Sequence, residues 1–251
     1  MINVLLTGCN GRMGDMITEL IAERDSMVIA AGVDRVTAAV PKAYPVFAAI
    51  ADVDVACDVI VDFSHYALIP DLLDYAEKHG LPAVICTTGL DDAVIARIQD
   101  VAARVPILRS GNMSLGINLL LDLVRKAAGV LYETFDIEVI EKHHNRKLDA
   151  PSGTALMIAD AMNAELQNDK TYVHGRHGKA AKRQPDEIGI HAVRGGTIVG
   201  EHSVLFAGPD EVIEIRHAAA SRKIFGNGAI QAAQFLVGKA PGLYTMDDVL
   251  K

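Results

Sequence analysis

Two periods of apolar spacing run through the first half of the chain. Residues 2–7 (INVLLT), 27–33 (MVIAAGV), 59–63 (VIVDF), 83–86 (AVIC) and 106–108 (PIL) are short apolar runs. That is the pattern of strands buried on both faces of a parallel sheet. Between them, residues 12–23, 68–79 and 91–104 carry apolar side chains at helical spacing, and Gly80 closes the second. Strands alternating with such helices predict a Rossmann-like, doubly wound parallel α/β sheet, which binds ligands beyond the carboxyl ends of its strands.

The pattern changes after residue 112. Residues 114–131 read as an apolar helix crossing into a second domain, followed by a strand at 135–141 and a helix at 154–165. Residues 170–184 (KTYVHGRHGKAAKRQ) are polar and predict a mobile surface loop of the kind used as a lid. Residues 188–193, 197–205 and 211–218 alternate at period two, with turns at Arg194-Gly195-Gly196 and Gly208-Pro209. They predict antiparallel strands that close a mixed sheet with 135–141 and leave one face open for assembly. A helix at 225–237 returns to the first domain, and 242–250 form a tail. The expected division is residues 1–112 with 223–251 as a dinucleotide-binding domain. Residues 113–222 would be a smaller α+β domain with a mixed, largely antiparallel sheet, for substrate and oligomerisation. Residues 37–56 carry no readable signal.

Candidate chemistry falls at two places. The first strand ends in Gly8-Cys9-Asn10-Gly11-Arg12-Met13-Gly14, a G-x-x-G-x-x-G variant of the dinucleotide fingerprint in strand-to-helix context. Gly8 would make the tight turn, Gly11 would admit a pyrophosphate, and Gly14 would let the helix pack on the strand. Asp34 ends the next strand, where a carboxylate for the ribose hydroxyls of NADH is expected. Arg35 follows, and a guanidinium there suits the 2′-phosphate of NADPH. Dual cofactor use is the expectation, with Arg12 as a second cation.

The second place is residues 138–156, EVIEKHHNRKLDAPSGTAL. His143, His144, Arg146 and Lys147 crowd into a strand-to-helix loop, with Pro151 and Ser152 as helix-start signals. The N–H groups of Gly153 and Thr154 and the Thr154 hydroxyl would face an anion. Such a loop suits a substrate that carries carboxylates and needs a proton. Imidazole titrates near neutrality, so His143 is the candidate general acid. Lys147 would clamp a carboxylate or donate the proton itself, a choice the sequence leaves open. His144 would hydrogen-bond the substrate, and Arg222 is a further candidate cation. Adjacent histidines in extended chain point to opposite faces and make a poor chelating pair, so no metal is expected.

Composition narrows the class. Half of the 251 residues are hydrophobic and 22% are charged, as in globular proteins. A net charge of −8 with no basic stripe argues against nucleic acid. Cys9, Cys57 and Cys86 are scattered and odd in number, which favours a reducing, cytoplasmic setting over disulfides. Neither a signal peptide nor a membrane span is read in the chain.

The run E-x-x-E-x-H-H-x-x-K-x-D-A-P-S-G-T-A resembles the signature of the 4-hydroxy-tetrahydrodipicolinate reductases of lysine and diaminopimelate biosynthesis. The resemblance extends over nearly the whole chain. It includes G-x-x-G-R-M-G, residues 187–202 (EIGIHAVRGGTIVGEH) and the closing G-L-Y-x-M-x-D-V-L. It implies NAD(P)H-dependent reduction of a cyclic imine dicarboxylate. It also places Asp62-Phe63-Ser64, Cys86-Thr87-Thr88-Gly89 and Ser110-Gly111-Asn112-Met113 around the nicotinamide. Cys86 stands where family members carry Gly, which leaves that contact in question. Assembly as a homotetramer is the matching expectation.

Two other classes compete. A nucleotide-sensing regulator would have no use for HHxxK beside an anion-binding helix start. A semialdehyde oxidoreductase would need a catalytic Cys after a strand, and Cys86, the one so placed, has no His near it in sequence.

Overall fold

Seven parallel strands build the first unit of the computed structural model, which describes residues 1–36 and 41–251. They are β1 (Ile2–Thr7), β2 (Met27–Val33), β3 (Val46–Phe47), β4 (Val59–Asp62), β5 (Ala83–Ile85), β6 (Pro106–Arg109) and β12 (Gly242–Tyr244). Their order is β12-β6-β5-β4-β1-β2-β3, so the direction of winding reverses between β1 and β4. Alternate residues face opposite sides of a strand. Val4, Leu6, Val59 and Val61 therefore lie under α1 (Arg12–Ala22) and α6 (Lys223–Leu236). Leu5, Ile60, Ile85 and Ile107 lie under α2 (Ile69–His79) and α3 (Asp92–Ala102). Burial on both faces is why these strands read as unbroken apolar runs.

Packing divides the chain into Met1–Leu115 with Lys223–Lys251, and Gly116–Arg222. The residues expected as a tail instead add β12 beside β6 and a short helix, α7 (Met246–Val249). Within the uninformative stretch 37–56, residues 37–40 lie outside the described residues. The remainder holds β3 and a 3₁₀ turn, Ile50–Asp52.

The second unit places α4 (Leu115–Leu131) and α5 (Gly153–Glu165) against a five-stranded sheet. Its strands are β7 (Asp136–His143), β8 (Thr171–His174), β9 (Glu187–Arg194), β10 (Gly200–Ala207) and β11 (Val212–Ala219), in the order β11-β10-β7-β9-β8. Ile137, Val139, Ile188, Ile190, Val204 and Phe206 line the face that meets the helices. The sheet is mixed, but less antiparallel than expected. β10 runs antiparallel to β7 and β11, while β9 runs parallel to both β7 and β8. The physical reason is two crossover connections, from β7 to β8 through α5 and from β8 to β9 through residues 175–186, each of which brings the chain back in the same direction. The stretch read as a lid is also different: it contains β8 and is tied down. Arg176 and Arg183 both donate to Glu138, Arg176 to Glu187 and Arg183 to Asp136. Among the described residues, no helix is long and apolar enough to cross a membrane.

Candidate active site

In the first unit the reversal point lies at the carboxyl ends of β1 and β4, where Thr7 pairs with Asp62. The chain turns at Gly8 with φ +74°, and a Cβ there would lie 2.4 Å from the Phe63 carbonyl oxygen. At Gly14 a Cβ would lie 2.3 Å from the Gly8 carbonyl oxygen, so glycine lets α1 close onto the turn. Gly11 is the N-cap of α1 and no side chain caps that helix start. The uncapped N–H groups and the close approach fit a dinucleotide pyrophosphate. Asp34 accepts from Asn10 N (3.0 Å) and Val36 N (3.2 Å), joining the end of β2 to the turn. Arg12 and Arg35 are exposed, Met13 is half-buried, and Cys9 is buried. Burial, then the Asp34 charge, pushes the Cys9 thiol up to about 11, which keeps it protonated. A cavity of about 440 Å³ opens beside these groups, with Thr7, Val33, Arg35, Ser64, Leu68 and Tyr75 in its lining.

Asp62 is fully buried and accepts from three hydroxyls: Thr7 (2.6 Å), Ser64 (2.5 Å) and Thr87 (2.6 Å). It ties the ends of β1, β4 and β5 together, and the Thr87 hydroxyl is occupied in doing so. Thr88 is exposed beside it, and Cys86 is half-buried against the core. Burial, then Asp62, holds the Cys86 thiol well above its ordinary value. Ser110 and Asn112 fold their own loop: the Ser110 hydroxyl donates to Asn112 O (2.9 Å), and Ser114 N donates to Asn112 Oδ1 (2.9 Å). Gly111 is exposed in that loop, and Met113 is buried.

In the second unit β7 ends at His143, and period two puts Glu141 and His143 on one face with Val139. Glu141 is fully buried and accepts from four donors. These are Arg194 Nη1 (2.6 Å) and Nη2 (2.7 Å), Ser152 N (2.9 Å) and His143 Nδ1 (2.7 Å). Burial raises its pKa, but the bonds from Arg194, His143 and Ser152 outweigh it and hold the carboxyl below its ordinary value. Ser152 caps α5 through Ala155 N (3.1 Å) and meets His202 Nε2 (3.0 Å). The His202 ring stands edge-on to that of His143, 5.3 Å between centroids. Burial, then the His143 charge, pushes His202 down to about 4, so it is neutral near pH 7.

The remaining candidates, Arg222 apart, follow His143 along the loop into α5. Lys147 Nζ donates to Asp149 Oδ1 (2.8 Å), and the Lys147 charge bears on His202, as that of His143 does. His144 is half-buried, with its Nδ1 buried and unpartnered. Gly153 and Thr154 form the first turn of α5, where N–H groups have no acceptor within the helix. Arg222 is exposed, and no hydrogen bond or ion pair among the described residues joins it to His143 or Lys147. Among the described residues, no group of three or more His, Cys, Asp and Glu side chains is placed to hold a metal ion. The residues to which sequence reasoning gave no part in the site are Glu141, Arg194 and His202; Ser152, read as a helix start, does cap α5 and also holds His202. Glu141 carried a signal, two positions before His143 on one strand face. Arg194 carried none, because β9 pairing brings it to β7 from 51 positions beyond His143.

Comparison with known proteins adds a separate line of observation. Residues 2–113 match the family described as dihydrodipicolinate reductase, N-terminus, and residues 116–250 match its C-terminus. A 4-hydroxy-tetrahydrodipicolinate reductase of Caldanaerobacter subterraneus is 53% identical over 251 residues, 100% of this chain and 99% of the relative. The protein of the same name from Clostridium novyi is 45% identical, with the same coverage. The dipicolinate-bound dihydrodipicolinate reductase of a Paenisporosarcina species shares the fold, with a TM-score of 0.85. Identity is 24%, over 100% of both chains.

Proposed function

The chain belongs to the dihydrodipicolinate reductase family, and we propose that His143 and Lys147 carry its chemistry. It is an oxidoreductase of lysine and diaminopimelate biosynthesis that uses a nicotinamide dinucleotide to reduce 4-hydroxy-tetrahydrodipicolinate to tetrahydrodipicolinate. When bound, the nicotinamide supplies the hydride. Gly8, Gly11 and the start of α1 hold the pyrophosphate, Asp34 the ribose hydroxyls, and Arg35 the 2′-phosphate when NADPH is used. The cavity lined by Val33, Ser64 and Leu68 takes the adenosine end. Cys86, Thr87, Thr88 and the 110–113 loop border the nicotinamide.

The substrate is a small dicarboxylate, a reading supported by the dipicolinate that the Paenisporosarcina reductase holds. Lys147 exchanges Asp149 for a substrate carboxylate. The N–H groups of Gly153 and Thr154 and the Thr154 hydroxyl receive the other oxygens, with His144 as a further donor and Arg222 as a peripheral cation. His143 gives a proton from Nε2, the ring nitrogen that Glu141 does not hold. The observation that carries this reading is the meeting of His143, Lys147 and an anion-binding helix start in one loop anchored by Glu141.

The unit of residues 1–112 with 223–251 is the nucleotide domain, and residues 113–222 bind substrate and assemble the oligomer. The sheet of the second unit exposes Val193 and Val212, which supports a homotetramer built on that face. Free Cys9, Cys57 and Cys86 support a reducing, cytoplasmic setting.

Truncating a general acid typically costs about 10² to 10⁴ in rate. His143→Gln should therefore lower kcat strongly with nucleotide affinity unchanged. Lys147→Ala should lower kcat/KM for the dicarboxylate and weaken inhibition by planar pyridine dicarboxylates. Turnover of both variants within about threefold of wild type would remove the assignment.

A further inference from the structure

We propose that Glu141 and Arg194 are positioning residues for this reaction. They form a buried carboxylate–guanidinium pair that fixes the tautomer of His143 and holds the Lys147 loop in register with it. The proposal rests on the reading of His143 as the proton donor.

An ionised carboxylate has no proton to give. Glu141 is fully buried, and both of its oxygens already accept from Arg194. The 2.7 Å contact to His143 must therefore be an Nδ1–H donating to Glu141 Oε2. In neutral His143 the proton then sits on Nδ1, and Nε2 is a bare lone pair. Only the cationic ring carries a proton on Nε2, and that is the proton available to substrate. Carboxylate orientation of an imidazole is a general device for selecting the reactive nitrogen.

Arg194 extends the control to Lys147. Arg194 and His143 are direct partners across the parallel β7–β9 pair. The Nη2 that meets Glu141 Oε1 at 2.7 Å also donates to the Asp149 carbonyl at 2.8 Å. The Asp149 side chain in turn holds Lys147 Nζ at 2.8 Å. One guanidinium thus sets the acid on one side and the backbone of the carboxylate clamp on the other. Ser152 N completes Glu141, which ties the start of α5 to the same carboxylate.

Besides Glu141 and Arg194, the titratable group packed against the His143 ring is His202 on β10; His217, its partner on β11, and Lys147 in the loop bear on His202 in turn. His202 and His217 are both held down by burial and leave Glu141 as the buried anion beside the ring.

The test uses the full chain with ¹⁵N-labelled histidine. Wild type should show the Nδ1–H signature for neutral His143. In Glu141→Gln the side-chain amide can donate as well as accept, so the ring should populate the Nε2–H form. Its kcat should fall by roughly 10² or more, its limb in the pH profile should move, and its KM for NADH should stay put. Arg194→Lys keeps a charge near Glu141 but loses the fork and the Asp149 link. It should retain more of kcat than Glu141→Gln and raise KM for the dicarboxylate. If Glu141→Gln does not fold, Arg194→Lys carries the test by its split: the ring should keep the Nδ1–H form while KM for the dicarboxylate rises, and an unchanged KM would overturn the link from Arg194 to the Lys147 loop. Suppose His143→Gln is slow, while Glu141→Gln keeps the Nδ1–H form and turns over within about threefold of wild type; that would overturn the positioning role alone. A fast His143→Gln enzyme would instead remove the acid reading on which it rests.

Discussion

Gly200 offers a sharp test of where His143 works, because one methyl group placed there separates activity from stability. It opens β10, and an added Cβ would lie 3.0 Å from His143 Nε2 and 3.4 Å from Cδ2. Ordinary contacts settle near about 3.5 Å, so the ring must withdraw by roughly half an ångström. It has little freedom to do so, with Glu141 at 2.7 Å on Nδ1 and the His202 ring edge-on. A misplacement of about 1 Å at a reacting centre costs about 10²-fold, so half of that suggests about tenfold, or about 1.4 kcal/mol of barrier. The backbone at Gly200 has no positive φ, so alanine is conformationally acceptable. Gly→Ala at such a site stabilises by about 0.4–1 kcal/mol through the unfolded state, which offsets the crowding. Gly200→Ala should therefore lose about tenfold in kcat at nearly unchanged Tm and NADH affinity. The assay follows NADH consumption with freshly made substrate, beside a thermal melt. An unchanged kcat would refute the placement of the reactive nitrogen over Gly200, and a parallel collapse of Tm would show that the effect is only structural.

Three further expectations follow from other parts of the molecule. Arg35→Ala should raise KM for NADPH far more than for NADH, since a charge-assisted bond to the 2′-phosphate contributes about 1.5–3 kcal/mol; equal effects on both cofactors would show that Arg35 does not touch that phosphate. Light scattering at micromolar concentration should return a homotetramer, and a monomer would remove the assembly reading. His202 titrates near about 6.5 when unfolded and at about 4 when folded, so the folded state binds fewer protons between those values. Stability should be full above about pH 6.5 and fall by up to about 3 kcal/mol as pH drops towards 4, and urea midpoints of His202→Asn should show a shallower slope across that window.

The physical range of each signal decides what the sequence could show. Strands buried on two faces and helices between them leave local periodic patterns, so five of the seven strands of the first sheet, β1, β2, β4, β5 and β6, stood out as apolar runs. β3 did not: it is two residues long, and its place is set by pairing with β2. β12 was seen only as a tail motif, because three residues carry no period. The fingerprint glycines were legible since each answers a local need, a left-handed turn or a close approach. The 143–154 loop was legible because its chemistry is contiguous in the chain.

Groups that hold other groups are read less easily, since their partners are fixed by strand register. Asp62 looked like part of a nicotinamide-lining segment, yet its oxygens are filled by Thr7 and Thr87, 55 and 25 positions away. The polar 170–184 stretch looked mobile because its composition is that of a solvated loop; Glu138, 38 and 45 positions from Arg176 and Arg183, anchors it. Gly189 stands opposite Glu138 in the β7–β9 register, and a Cβ there would fall 1.8 Å from Glu138 Oε2, so the anchor depends on a glycine in another strand. The same holds for Arg194 and Gly200, which shape the surroundings of His143 from β9 and β10. A site is thus written in the sequence where its reacting groups are neighbours in the chain. The side chains that orient those groups become visible only once the strands are paired, which is why both the Glu141–Arg194 pair and the Gly200 test came from the sheet rather than from the motif.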